Sequence, residues 1–193
     1  MEDHHKTTPK SIVVGITGAS GANLGIQMLK TLKKLGYCTH LIISTAAQMT
    51  ITQETGWQIN EVKALASLVY EPEDISAAIA SGSYSMDGMV IIPCSIKTLS
   101  AVANSYTEGL ISRAADVTLK EGRPLVLVVR EAPLHRGHLR LMSQAAEAGA
   151  IIFPPVPAFY AHTQSLDEIV QNIVGRILAR MGIENNDYAQ WQG

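Results

Sequence analysis

Cysteine and aromatic side chains are scarce in this chain, and no apolar stretch comes near the length of a bilayer span. Only two cysteines are present, Cys38 and Cys94, far apart and in no CxxC pair. That excludes a disulfide framework and suits reduced thiols. The longest purely apolar runs, such as Met89 to Ile92 and Leu125 to Val129, are too short for a membrane helix. The opening MEDHHKTTPK lacks the basic flank and apolar centre of a signal peptide, so a cytoplasmic protein is expected, with no membrane partner. Nor is there a basic stripe: 15 Lys and Arg stand against 17 Asp and Glu, for a net charge of −2, which argues against a nucleic-acid partner. What is abundant is apolar residue, 47% of 193, enough for one well-buried domain. The chain is too short for a separate substrate domain.

Continuous β-forming runs recur at Ile12 to Ile16, His40 to Ser44, Met89 to Ile92, Leu125 to Val129 and Ala150 to Phe153. Their lack of alternation predicts strands covered on both faces, as in a parallel sheet. Helical spacing fills the gaps. Ala22, Met28, Leu29, Leu32 and Leu35 share one face before Gly36 ends the helix. Further helices are predicted over Ala46 to Thr55, Glu73 to Ala80, Thr98 to Ala103, Leu110 to Lys120, Leu139 to Ala148 and Leu166 to Met181. The alternating order predicts a three-layer α/β/α sandwich of the Rossmann or flavodoxin-like kind with a parallel sheet. Residues 1–10 read as a mobile leader, 11–184 as the single domain, and 185–193 as a polar tail with one conspicuous aromatic.

Ligands of such sheets sit beyond the carboxyl ends of the strands. Those positions hold Thr17, Gly18, Ala19 and Ser20; Ser44 and Thr45; Cys94, Ser95, Lys97 and Thr98; Arg130 and Glu131; and a PPVPAFY loop ending at Tyr160. Hydroxyls, two cations and a carboxylate on one rim suit an anionic, hydrogen-bonding ligand. The loop of small residues before a helix points to a phosphate. A dinucleotide fits poorly, because Thr17 stands where GxGxxG requires glycine and Ser44 where an acidic residue would hold the ribose. A Walker loop is excluded by the missing Gly-Lys-Ser/Thr. FMN remains as the commonest large ligand of this kind, alongside other phosphorylated molecules.

Five strings in order, GITGASGANLG, IIPCSIKTLSAVA, RAADVTLKEGRPLVLVVREAP, PPVPAFY and VGRIL, resemble the UbiX/Pad family of flavin prenyltransferases. The resemblance runs from Ile12 to Trp191. It implies an enzyme that joins a dimethylallyl group from dimethylallyl phosphate to reduced FMN, closing a ring across flavin N5 and C6. It further implies a UbiD-type aromatic acid decarboxylase as recipient of the product, no metal, and a homododecamer built from trimers. Two rivals stand beside it: an FMN-dependent decarboxylase acting directly, and a flavin carrier without chemistry.

The resemblance also assigns residues. Gly18, Ala19 and Ser20 match the flavin-binding loop, with Ser20 near N5 as a proton relay. Ser44, Ser95, Ile96, Lys97, Thr98 and Arg130 match the remaining FMN contacts, although Ser95 and Thr98 also read as a helix cap and first turn. Glu131 matches a carboxylate able to protonate the departing phosphate; residues alone allow a simple Arg130–Glu131 ion pair instead. Glu54 matches a carboxylate near the flavin, where sequence alone reads a solvated helix face. Arg113, Lys120, Tyr160 and Arg176 match the group that grips the prenyl phosphate, Lys120 among the catalytic residues, and Trp191 matches an aromatic whose face can stabilise an allyl cation. His135 and His138 lack further ligands, so no metal site is read. Cys94, with no base beside it in sequence, reads as a buried thiol rather than a nucleophile.

Overall fold

Each of the five apolar runs becomes a strand, and a sixth strand pairs at one edge. The computed structural model describes residues 10–191. In chain order the elements are β1 (Ser11–Ile16), α1 (Ala22–Lys34), β2 (Cys38–Ile43), α2 (Thr45–Glu54), α3 (Ile59–Lys63), β3 (Leu68–Tyr70), β4 (Gly88–Cys94), α4 (Ile96–Ala103), α5 (Leu110–Lys120), β5 (Leu125–Val129), α6 (Arg136–Glu147), β6 (Ile151–Ile152) and α7 (Leu166–Arg180). All neighbouring strands pair parallel, in the order β3-β2-β1-β4-β5-β6.

Parallel strands are buried on both faces, which explains why β4 and β5 are apolar without alternation. On one face Val14 and Val126 meet Leu29 of α1, Ile51 of α2 and Val174 of α7. On the other, Val13, Ile91 and Leu127 meet Leu99 of α4, Ala115 of α5 and Ala145 of α6. The result is the expected three-layer α/β/α sandwich. β1 and β4 lie side by side while their following helices leave to opposite faces, and such a point opens a crevice beyond the strand ends.

Several elements depart from the sequence reading. β3 was not expected: it has three residues and leaves Leu68 and Val69 exposed, so no continuous apolar run marks it. The helix predicted over Glu73 to Ala80 is only a 3-10 turn at Ala78–Ala80. There the Asp74 carboxylate accepts from both the amide and the hydroxyl of Ser76, a local turn that competes with helix. α4 starts at Ile96 rather than Thr98, and α6 at Arg136 rather than Leu139, because Ser95 and His135 supply the caps. β4 continues through Pro93 to Cys94, and β2 begins two residues early, at Cys38.

At the ends, residues 1–9 of the expected leader lie outside the described residues, whereas the Lys10 carbonyl already accepts from the Cys38 amide at 2.9 Å. Of the expected tail, residues 192–193 lie outside the described residues and 185–188 pack on α7. The Asn185 side chain donates to the Gly175 carbonyl at 3.1 Å, and Gln171 Nε2 donates to Asp187 Oδ1 at 3.0 Å. Gly175 permits this approach, since a Cβ there would stand 2.7 Å from the backbone of Asp187. Among the described residues no helix is long and apolar enough to cross a membrane.

Candidate active site

β1 and β4 end at the same level, and one hydroxyl ties their ends together. Thr17 Oγ1 donates to the Pro93 carbonyl at 2.7 Å and accepts from the Ser95 amide at 2.8 Å. The side chain is 1% exposed, so each bond is made away from water. A glycine at this place, as GxGxxG requires, would leave both backbone groups without that partner.

Beyond this strut opens a cleft of about 580 Å³, within the size range of small-molecule sites. Thr17, Gly18, Ser44, Ser95, Lys97 and Thr98 line it, so the rim inferred from strand ends converges as expected. Two helices begin at it. Ser44 Oγ accepts from the Ala47 amide at 3.2 Å at the start of α2, and Ser95 Oγ from the Thr98 amide at 3.3 Å at the start of α4. Capping hydroxyls, unpaired first-turn amides and the Lys97 ammonium make a setting for an anion such as the phosphate of FMN. Gly18 is needed for a close approach, because a Cβ would lie 2.5 Å from that of Ala46 on α2.

The start of α1 is closed to such an anion. Its N-cap, Gly21, offers no side chain, and the carboxylate of Glu54 from the end of α2 fills the role. Glu54 Oε2 accepts from the Gly21 and Ala22 amides at 2.8 and 3.2 Å. Burial pushes this carboxyl up, but the two amides, the Ser20 hydroxyl and the Arg130 charge together hold it below the usual glutamate range. Where a dinucleotide would place its pyrophosphate, this protein holds its own carboxylate. Glu54 therefore spans Ser20 and Arg130, two residues far apart in sequence, and is no mere solvated helix face.

Arg130 and Glu131 follow β5 and are both exposed. Among the described residues no ion pair joins them; Glu131 Oε1 instead accepts from the Ala132 amide at 3.0 Å. The remaining candidates lie elsewhere. Arg113 turns from the cleft, donating from Nε to the Ala80 carbonyl at 3.1 Å and pairing with Asp116 at 3.8 Å. Lys120, at the far end of α5, pairs with Glu121. Tyr160 and Trp191 meet edge to face, with centroids 5.5 Å apart and planes at 75°, and the Arg176 guanidinium sits 5.2 Å over the ring of Tyr188. None of Arg113, Lys120, Tyr160 and Arg176 lines the cleft. Its wall does include Ile111 and Ser112 of α5 and, from the loops before it, Tyr106 and Glu108, which the sequence reading missed. Their one signal was position, at and just before the start of a helix that packs on β4.

The two sulfur and imidazole features have structural roles. Cys94 is buried and its thiol pushed far up by burial, with a smaller opposing contribution from the Leu99 amide. His135 Nδ1 accepts from the Gly137 amide at 2.9 Å and caps α6, with its ring 3.5 Å from that of His138.

A family model described as Flavoprotein matches residues 1–178. The flavin prenyltransferase UbiX of Escherichia coli strain K12 is 54% identical over 187 residues, covering 95% of this chain and 99% of that protein. A crystal structure of AnUbiX (PadA1) in complex with FMN and dimethylallyl pyrophosphate superposes with a TM-score of 0.95 at 46% identity, covering 96% of this chain and 99% of that one. A second, of a dodecameric FMN-dependent UbiX-like decarboxylase from Escherichia coli O157:H7, gives a TM-score of 0.92 at 46% identity, covering 95% and 100%. With the cleft at the β1–β4 junction and its small-residue rim in place, this chain belongs to the UbiX/Pad family of flavin prenyltransferases.

Proposed function

We propose that this protein transfers a dimethylallyl group from dimethylallyl phosphate to reduced FMN, in the cytoplasm, and that a UbiD-type decarboxylase receives the product. The observation that carries this reading is the hydroxyl-lined cleft where α2 and α4 begin, in a chain half identical to a flavin prenyltransferase. The solved relative described with FMN and dimethylallyl pyrophosphate supports both ligand classes. Reduced FMN supplies the nucleophilic ring that accepts the prenyl carbon.

The chain's own residues bind, orient and move protons. Gly18, Ala19, Ser44, Ser95, Ile96, Lys97, Thr98 and Arg130 hold the flavin. Ser20 passes a proton at the ring, and Glu54, ionised and fixed by two amides, sets the position of the Ser20 loop. Glu131 protonates the departing phosphate. Arg113, Lys120, Tyr160 and Arg176 spread over its developing charge, the kind of fixed electrostatic stabilisation that lowers a barrier most. Trp191 lies against Tyr160 and offers an aromatic face to the cationic carbon.

These phosphate residues stand on different flanks of one chain, so a complete site is formed between copies. A homododecamer built from trimers satisfies this, and the relative from Escherichia coli O157:H7 is described as dodecameric.

The test is the mass of flavin released after anaerobic incubation with reduced FMN and dimethylallyl phosphate. A gain of one C5H8 unit is expected, and chelation of divalent metal should leave it unchanged. Glu131→Gln should keep FMN and lose turnover. Unchanged flavin from protein that binds both ligands would instead favour a carrier or a decarboxylase acting directly.

A further inference from the structure

Four helices begin at or beside the cleft, and their caps divide them into two kinds. α2 and α4 open on hydroxyls, Ser44 and Ser95, and the first turn of α4 adds the Lys97 ammonium. α1 and α5 open on glycines, Gly21 and Gly109, which offer no side chain to the first-turn amides. At α1 the Glu54 carboxylate takes that place. At α5 the residue just before the cap is Glu108, and it lines the cleft.

Glu108 is fixed by its neighbours. Tyr106 Oη donates to Glu108 Oε2 at 3.0 Å. Tyr106 is in turn brought to the cleft by an uncommon turn: Ser105 before it lies in the left-handed region, at φ 50°, and the Tyr106 amide donates back to the Ala101 carbonyl at 2.8 Å. Glu73 joins from the loop after β3, which is fastened to the start of α5 by a 2.8 Å bond from the Leu110 amide to the Pro72 carbonyl. The charged residues of the lining are therefore one cation, Lys97, and two carboxylates.

That distribution suits one phosphate and not two. The phosphate of FMN, a monoester with close to two negative charges at neutral pH, can set both at the hydroxyl-capped starts beside Lys97. The pyrophosphate of FAD carries one charge on each phosphate, so one of them leaves those starts, and the charged lining that remains is Glu73 and Glu108. Like charges brought together weaken binding of the wrong ligand. Volume does not set the limit, because a cleft of about 580 Å³ that opens to solvent leaves room for a longer molecule. We infer that Glu73 and Glu108, with Tyr106 positioning Glu108, are specificity-determining residues that restrict this cleft to a flavin with a single phosphate, FMN, and exclude the pyrophosphate of FAD. The inference rests on the reading of the cleft as the flavin site.

The full oligomeric protein, freed of flavin, is titrated calorimetrically with FMN and with FAD at low and at high salt. The parent should prefer FMN. In the double variant Glu73→Gln, Glu108→Gln the affinity for FAD should rise roughly ten-fold, as removal of two exposed like-charge contacts allows, and that for FMN by less. The preference of the parent should shrink as salt rises, and that of the double variant should shrink less, since salt screens exposed charges. Tyr106→Phe keeps the ring but releases Glu108, and should move FAD the same way by a smaller factor. Equal affinity of the parent for both flavins overturns the inference. So does a double variant that still excludes FAD, since the bulk of the adenylate and not charge would then be the barrier. A parent that binds neither flavin is a distinct result, which overturns the flavin reading of the cleft and this inference with it.

Discussion

Thr17 and Ser95 are joined by a 2.8 Å hydrogen bond from the Ser95 amide to the Thr17 hydroxyl, which itself donates to the Pro93 carbonyl. The bond crosses from the end of β1 to the end of β4 and sets the width of the crevice at its base. Thr17→Val keeps the shape, leaves the Ser95 amide without its partner and leaves the Pro93 carbonyl only the 3.3 Å bond from the Thr17 amide. It should cost about 1–3 kcal/mol of stability. It should also weaken FMN binding, because Ser95 positions the start of α4. Chemical denaturation and a fluorescence titration of FMN check this; unchanged FMN affinity in a destabilised variant would detach the strut from the site.

Glu54 gives a pH dependence. Its carboxyl is held below the ordinary value of 4.5, so the folded state favours the ionised form. The stabilising contribution is therefore complete above the ordinary value and disappears as the pH falls through the lowered one. Glu54→Gln should melt below the parent at neutral pH, and the gap should close in acid. Thermal unfolding of both proteins across that range measures it. A gap that persists unchanged in acid would mean that the charge on Glu54 is not what caps α1.

Cys38 and Cys94 should differ in reactivity. Cys38 is half-buried, whereas Cys94 is fully buried with a thiol pushed far up. Alkylation of the native protein at mildly alkaline pH should label Cys38 and spare Cys94, and denaturant should expose both. Peptide mass mapping reads the sites; native labelling of Cys94 would show that the end of β4 opens.

Much of this geometry was legible because a parallel sheet writes itself plainly. β1 and β5 are unbroken apolar runs, and the residues after strands are where any ligand must sit. Ser44, Ser95, Lys97 and Thr98 could thus be placed on one rim before any fold was seen. Strand order was not legible, since the pairing of β4 beside β1 depends on long-range packing. β3 escaped because an exposed edge strand of three residues carries no buried pattern. Glu54 looked like surface because its partners, the Gly21 and Ala22 amides, are remote in sequence. The docking of residues 185–188 was hidden for the same reason: a glycine within a helix signals only weakness until the backbone that passes over it is known.

Gly175 turns that last point into a test. Alanine is ordinarily the better helix residue by roughly 1 kcal/mol, so Gly175→Ala should strengthen α7 taken alone. Here the added Cβ would meet the Asp187 backbone at 2.7 Å and the Asn185 side chain at 2.9 Å, and neither can yield without lifting the segment off the helix. The variant should keep a melting temperature near that of the parent, since the two effects oppose. Trp191 would leave Tyr160, ending an edge-to-face contact worth about 0.5–1.5 kcal/mol. Two readouts follow: faster proteolytic trimming of the C-terminal residues, and slower prenyl transfer with FMN affinity intact. If trimming accelerates while transfer holds its rate, the segment docks for stability alone and Trp191 has no part in the chemistry. If both move together, the packing of one glycine against a passing backbone is what delivers the aromatic face to the reaction.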